Sequence, residues 1–212
     1  MSYPLEGLRV LDMSRVLAGP FAGRMFADLG ADVVKLEPPD GDTTRLWGAD
    51  IGGNPGYYHQ QNAGKRNVSI DLTKPRAAEL VKALAAKSDI VIENFRPGVA
   101  GRLGVGYAAL SEANPRLVML SISGFGQEGP EAQRAAFAPV IHAEAGLIDR
   151  QARNTKSGHL VDLAFTLEHG RHQAAGHRVG ELQRPAGREL HGVDVVDAGA
   201  IGGEDQPSAG HR

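Results

Sequence analysis

Between Leu8 and Ser123, short apolar stretches of strand length alternate with helical segments, and this alternation constrains the fold more than any other feature of the chain. Leu8 to Ser14 (LRVLDMS) reads as a strand interrupted by Asp12, and Arg15 to Pro20 as a loop closed by Gly19-Pro20. Phe21 to Leu29 sets Phe21, Met25, Phe26 and Leu29 at helical spacing and stops at Gly30, a residue suited to ending a helix. Asp32 to Glu37 (DVVKLE) is a second strand. Strand, helix and strand within about 30 residues form a βαβ unit, whose right-handed crossover makes the two strands parallel.

The pattern then repeats. Pro38 to Gly56 is a Gly/Pro/Asp-rich excursion carrying Arg45 and Trp47, too irregular for a core element and long enough to be functional. Gln60 to Asp71 passes from a polar turn into a strand of Val68 and Ile70. A helix is expected over Lys74 to Lys87, with Ala77, Leu80, Val81 and Leu84 on one face. A strand at Ile90 to Ile92, a helical piece at Tyr107 to Ala113 and a buried-type strand at Leu117 to Ser123 complete the order. The expected fold class is α/β, a doubly wound and mostly parallel sheet.

Asp89 to Gly104 (DIVIENFRPGVAGRLG) is the first pointer to a site. Its strand runs into a turn carrying Asn94, Phe95 and Arg96, and in open α/β sheets ligands bind beyond the carboxyl ends of the strands. A plain β-to-α turn with a helix-starting Pro97 accounts for the same residues. Lys65, Arg66, Arg45, Arg96 and Arg102 lie in or beside such loops. Together they suit a pyrophosphate or 3′-phosphate, with scattered surface charge as the alternative. Asp12 reads equally as a buried acid or an edge residue. Gly104 to Ala109 (GVGYAA) matches a loose dinucleotide fingerprint but follows a helix-like segment, with no acidic residue at ribose distance, so it reads as a turn between helices. Gly64-Lys65-Arg66 is no P-loop, because His59 and Arg66 stand where Gly and Ser/Thr are required.

The formal net charge of −2 and pI near 6.4 give no field for nucleic acid, and no partner of that kind is expected. The absence of cysteine excludes disulfides and thiolate nucleophiles in this sequence and fits a cytoplasmic location. No signal-peptide pattern or run of membrane-spanning length is read, so no membrane partner is expected. Residues 151–212 hold six of the eight histidines but one of the eleven aromatics, with no sustained apolar period. Those histidines lack ligand spacing such as HExxH, and no metal is expected.

Four stretches in order, LEGLRVLDMSRVLAGPFAGRMFADLGADVVKLEPPDGDTTR, NAGKRNVSIDL, DIVIENFRPGVAGRLG and NPRLVMLSISGFGQEGP, resemble the family III CoA-transferases, a group that includes the α-methylacyl-CoA racemases. The likeness runs over about residues 4 to 150. It implies a Rossmann-like large domain, of which this chain holds an incomplete part, and interlocked homodimers. It implies coenzyme A, as acyl-CoA, and a small carboxylic acid as substrates. By resemblance Val16 and Ala18 line the acyl-thioester end, and Lys35, Glu37 and Pro38 flank the adenine. Arg45 and Lys65 meet phosphates, while Asn94, Phe95, Arg96 and Arg102 hold the nucleotide and pantetheine. The implied chemistry is attack by an Asp carboxylate on the donor thioester, giving an aspartyl anhydride and then an aspartyl-CoA thioester. The racemase branch keeps a His and Asp where Phe137 and Ala138 stand here, which favours the transferase reading.

Leu160 to Leu167 (LVDLAFTL) resembles the family strand that leads to the catalytic Asp, and the likeness then stops. His169 stands at about the position of that Asp, and Asp162 and Glu168 are the nearest carboxylates without the expected neighbours. No catalytic residue is assigned. The expectation is a boundary at 167/168: residues 1–167 form the N-terminal part of the large domain, and 168–212 an atypical, poorly structured tail from truncation or a slipped reading frame, with a genuine short protein as the rival reading. Without the Asp, transferase activity is expected to be impaired, and the alternatives are a non-catalytic CoA-binding module and an inactive pseudogene product.

Overall fold

The structure is a computed structural model that describes residues 2–48, 52 and 55–155. Contacts divide the chain into one unit ending at Ala136 and a second beginning at Phe137. The expected strand at Leu160 to Leu167, the 167/168 boundary and the tail lie outside the described residues.

The first unit is built on five parallel strands: β1 (Arg9–Asp12), β2 (Asp32–Glu37), β3 (Arg66–Ser69), β4 (Ile90–Glu93) and β5 (Val118–Ser121). Their order is β3-β2-β1-β4-β5, the doubly wound arrangement in which winding reverses between β1 and β4. Strand alternation sends Val10, Val33 and Ile92 to one face and Leu11, Leu36 and Val91 to the other. Helix α1 (Ala18–Asp28) covers the first face through Ala22, Phe26 and Ala27. Helices α3 (Ala77–Ala85), α4 (Val99–Arg102) and α5 (Tyr107–Ala113) cover the second with Val81, Ala85, Ala100 and Leu110. Helix α2 (Gly56–Asn62) lies between them in sequence.

Three expectations are corrected in detail. Helix α1 begins at Ala18 and takes in Gly19-Pro20, because a proline in a first turn forfeits no intrahelical bond. Helix α3 begins at Ala77 rather than Lys74: the Asp71 carboxylate accepts from both the amide and the hydroxyl of Thr73, closing a turn just before Pro75. The excursion Pro38 to Gly56 contains a 3-10 turn, Thr43–Leu46, and leads directly into α2, whose GYYHQQN has no apolar period to reveal it. GVGYAA is, as read, a turn between helices, with Gly104 at φ +70° after α4 and Gly106 at the start of α5.

The second unit, as far as it is described, is a helical hairpin. Helices α6 (Ala138–Glu144) and α7 (Leu147–Thr155) are joined through Gly146 at φ +69°. Phe137 caps α6 and Ala138 opens it. Among the described residues no helix is long and apolar enough to cross a membrane.

Candidate functional site

The carboxyl ends of β1 and β4 flank the point where winding reverses, and the β1–α1 loop, Met13 to Leu17, lies across it. The backbone of this loop is tied at Met13, Ser14, Arg15 and Val16. Met13 N–H donates to the Ile92 carbonyl at 2.8 Å, and Ser14 N–H to Asp12 Oδ1 at 3.0 Å. The Ser14 hydroxyl donates to the same Asp12 oxygen. Lys35 Nζ donates to the Ser14 carbonyl at 2.8 Å. Asn94 accepts from Arg15 N–H at 2.8 Å and returns a bond to the Arg15 carbonyl at 2.7 Å. Val16 N–H donates to Asp42 Oδ2 at 3.1 Å.

Strand parity explains why these side chains meet. Asp12, Lys35 and Asn94 continue the rows of Val10, Val33 and Ile92 on the α1 face, one step beyond the apolar core. Apolar residues fill the middle of that face and polar ones its carboxyl end, where they seize the loop. Val16 is the one non-glycine residue at positive φ, +67°, among the described residues. A β-branched side chain there is a steric outlier of the sort that gathers at functional sites.

Two buried ion pairs stand beneath the loop. Lys65 Nζ lies 2.7 Å from Asp12 Oδ2 and also donates to the Pro20 carbonyl at 2.7 Å and Asn62 Oδ1 at 2.9 Å. Burial pushes the Lys65 ammonium below its usual value, against the pull of Asp12. Lys35 Nζ lies 3.1 Å from Asp42 Oδ2, with both side chains buried. Asp42 Oδ1 accepts from the amide and hydroxyl of Thr44, so this carboxylate is held from both sides. Asp12, left open by the sequence, is a fully buried acid.

Glu37 ends β2 in a third polar centre. Its carboxylate accepts from Nε and Nη2 of Arg45, at 2.7 and 2.9 Å, together with the Tyr58 hydroxyl, the Asn67 amide and the Asp42 N–H. Burial alone would raise the Glu37 pKa, but hydrogen bonds from Arg45, Tyr58 and Asp42 outweigh it and hold the group at about 2. Arg45 also lies over the Tyr58 ring, 3.8 Å from its centre. Burial, with Glu37 alongside, pushes the Tyr58 hydroxyl up. Pro38 follows half-buried.

The five cations singled out in the sequence are therefore not one cluster. Lys65 and Arg45 are committed to Asp12 and Glu37. Arg66 pairs with Asp32 at the amino end of the sheet, opposite the loop. Arg96 and Arg102 are exposed, and neither forms an ion pair among the described residues. Arg96 borders an open cleft of about 340 Å³ with Glu93, Tyr107, Ser121 and Gln127. Phe95 turns away into the core beside Leu11 and Val105, while Ala18 is exposed at the first position of α1. Asp42 and Tyr58 were not singled out by sequence. An Asp two residues before Thr44 carries a turn signal that marks Asp42 as a local cap, but nothing local points to Val16 or Lys35 as its partners.

Comparison with known proteins gives concordant matches. The family model described as CoA-transferase family III matches residues 5–166. A succinate–glutarate CoA-transferase of Agrobacterium fabrum is 44% identical over 153 residues, covering 68% of this chain and 38% of that protein. A probable fatty acyl-CoA transferase of Mycobacterium tuberculosis is 40% identical over 199 residues, covering 91% of this chain and 49% of its own length. That second alignment extends past residue 167. The crystal structure of a CAIB/BAIF family protein from Brucella suis superposes with a TM-score of 0.67 at 43% identity, covering 70% of this chain and 41% of the other. The chain thus spans less than half the length of these relatives.

Proposed function

Because this chain belongs to CoA-transferase family III, we propose that it supplies the CoA-holding part of an acyl-CoA:carboxylate CoA-transferase, which moves CoA from a donor thioester to a carboxylic acid. The observation that carries the reading is the β1–α1 loop, immobilised by Asp12, Lys35, Asn94 and Asp42 at the place where open α/β sheets bind their ligands. Val16 and Ala18 then face the acyl-thioester end. Arg96 and Arg102, with no carboxylate partner among the described residues, are cations available to phosphate oxygens. Lys35, Glu37, Arg45 and Lys65 act one step back, holding the loops that shape the crevice, and Asn94 fixes the Arg15 peptide.

In the chemistry proposed, an Asp carboxylate attacks the carbonyl of the donor thioester and expels CoA thiolate, leaving a mixed anhydride. The thiolate then attacks the aspartyl carbonyl, releases the donor acid and forms an aspartyl-CoA thioester. The acceptor carboxylate attacks that thioester, and returning thiolate takes the new acyl group and frees the Asp. Dividing the transfer in this way gives each step a good leaving group. Thiolate and carboxylate leave as stable anions, so neither expulsion needs a general acid.

A second reading is a CoA-binding module without chemistry. It is favoured by His169, which stands at about the place of the nucleophile, outside the described residues. Calorimetric titration of the purified chain with CoA, alongside a far-UV circular dichroism melt, tests both readings. Saturable binding with a cooperative melt supports a built CoA site, and turnover of an acyl-CoA with a carboxylic acid then separates enzyme from module. A cooperative melt without CoA binding overturns both.

A further inference from the structure

We propose that Asp42 is a positioning residue for the binding crevice: its carboxylate holds Val16 in the left-handed conformation and so sets the shape of the β1–α1 loop. This rests on the reading above that the loop faces the ligand. Val16 at φ +67° is a conformation that a β-branched residue keeps only where its surroundings over-determine it. The Val16 side chain is half-buried, and its N–H has one partner, Asp42 Oδ2, at 3.1 Å. The acceptor is rigid. Oδ1 of the same carboxylate takes the Thr44 amide at 3.0 Å and the Thr44 hydroxyl at 2.8 Å. The Asp42 N–H is anchored on Glu37 Oε2 at 2.8 Å. Lys35 Nζ, 3.1 Å from Oδ2, balances the charge and carries the clamp on to the Ser14 carbonyl.

The arrangement links two loops that are remote in sequence. The turn after β2 holds the loop after β1 through one fully buried carboxylate, and Val16 lies under its control at the reversal point of the sheet. Asn at 42 offers one acceptor oxygen where Asp offers two. If that oxygen stays with Thr44, the amide NH₂ faces the Val16 N–H and the Lys35 ammonium, donor against donors. Glycine at 16 removes the steric reason for restraint, since it adopts positive φ freely.

The test is a double-mutant cycle on the full chain: wild type, D42N, V16G and the two combined, each titrated with CoA and melted. The expected result is that D42N weakens CoA binding about tenfold with Val16 present and less than about threefold in the V16G background. A purely structural Asp42, acting as the Thr44 cap and Lys35 partner, predicts the same loss in both backgrounds. Equal losses, or none, overturn the proposal. Absence of CoA binding by the wild type defeats the CoA reading instead, and the melts then decide: a smaller fall in Tm for D42N in the V16G background upholds the Asp42–Val16 coupling, and equal falls overturn it. Should D42N lose its cooperative melt, D42E takes its place in the cycle, keeping a negative charge beside Lys35 while moving the carboxylate relative to the Val16 N–H, and the same comparison is read.

Discussion

Asp12 and Lys35 stand side by side in register on β1 and β2, both buried and opposite in charge, yet neither takes the other as its ion-pair partner. Asp12 takes Lys65, which arrives from the turn before β3, and Lys35 takes Asp42, from the turn after β2. Two charges on the sheet thus bind two separate loops to it. A direct pair would have satisfied the strands and left both loops loose.

Breaking one such pair strands a charge in the interior. Asp12→Asn or Lys65→Met alone is expected to cost about 3–5 kcal/mol of stability, because each leaves an uncompensated buried group. The double variant should lose clearly less than the sum of the two. Urea denaturation of the four proteins measures this, and strictly additive losses would refute the coupling.

The Asp12–Lys65 pair also dictates a glycine. A Cβ built on Gly23 in α1 falls 2.4 Å from Asp12 Oδ2 and 3.0 Å from Lys65 Nζ. Helix α1 can therefore lie on the sheet only where that position is bare. Gly23→Ala is expected to destabilise by about 1–3 kcal/mol, although alanine is the better helix former, because overpacking outweighs propensity. A thermal melt showing Gly23→Ala at or above the wild-type Tm would contradict this packing.

Much of this fold was legible in the sequence, because apolar runs such as DVVKLE and DIVIE carry the strand signal within a few residues. The doubly wound order followed from their alternation with helices. Helix α2 was not legible: Tyr57, Gln61 and Asn62 bury its inner face by tertiary contact, with no apolar period. The site was legible only as residue types. Sequence marked Lys65 and Arg45 as cations near loops, but which of them already had a carboxylate depends on strand register and loop return. Asp12↔Lys35 register, Asp42 beneath Val16 and Glu37 beneath Arg45 are all non-local facts.

Glu37 makes part of the stability dependent on pH. Its carboxyl is held at about 2 against an ordinary 4.5, so in acid the unfolded chain binds this proton before the folded one does. The contribution is complete above pH 4.5 and declines as the pH falls toward about 2. Glu37→Gln should flatten that part of the stability profile while lowering stability near neutrality. Parallel denaturation curves between pH 7 and pH 2.5, with the gap between wild type and variant narrowing in acid, are the expected result.

Arg45 and Arg96 separate support from binding. Arg45 spends one edge of its guanidinium on Glu37 and one face on Tyr58, so Arg45→Ala should lower Tm markedly and affect CoA only through the fold. Arg96 and Arg102 are exposed and have no ion pair among the described residues, so Arg96→Ala and Arg102→Ala should leave the Tm nearly unchanged. If these two meet phosphates, each loss removes a charge-assisted bond and weakens CoA binding by about tenfold or more. Added salt should then weaken the wild type more than either variant, because screening acts on the interaction the variants already lack. Calorimetry with CoA at two ionic strengths reads all four proteins. Unchanged affinity in both Arg96→Ala and Arg102→Ala would move the phosphate contacts elsewhere on the crevice.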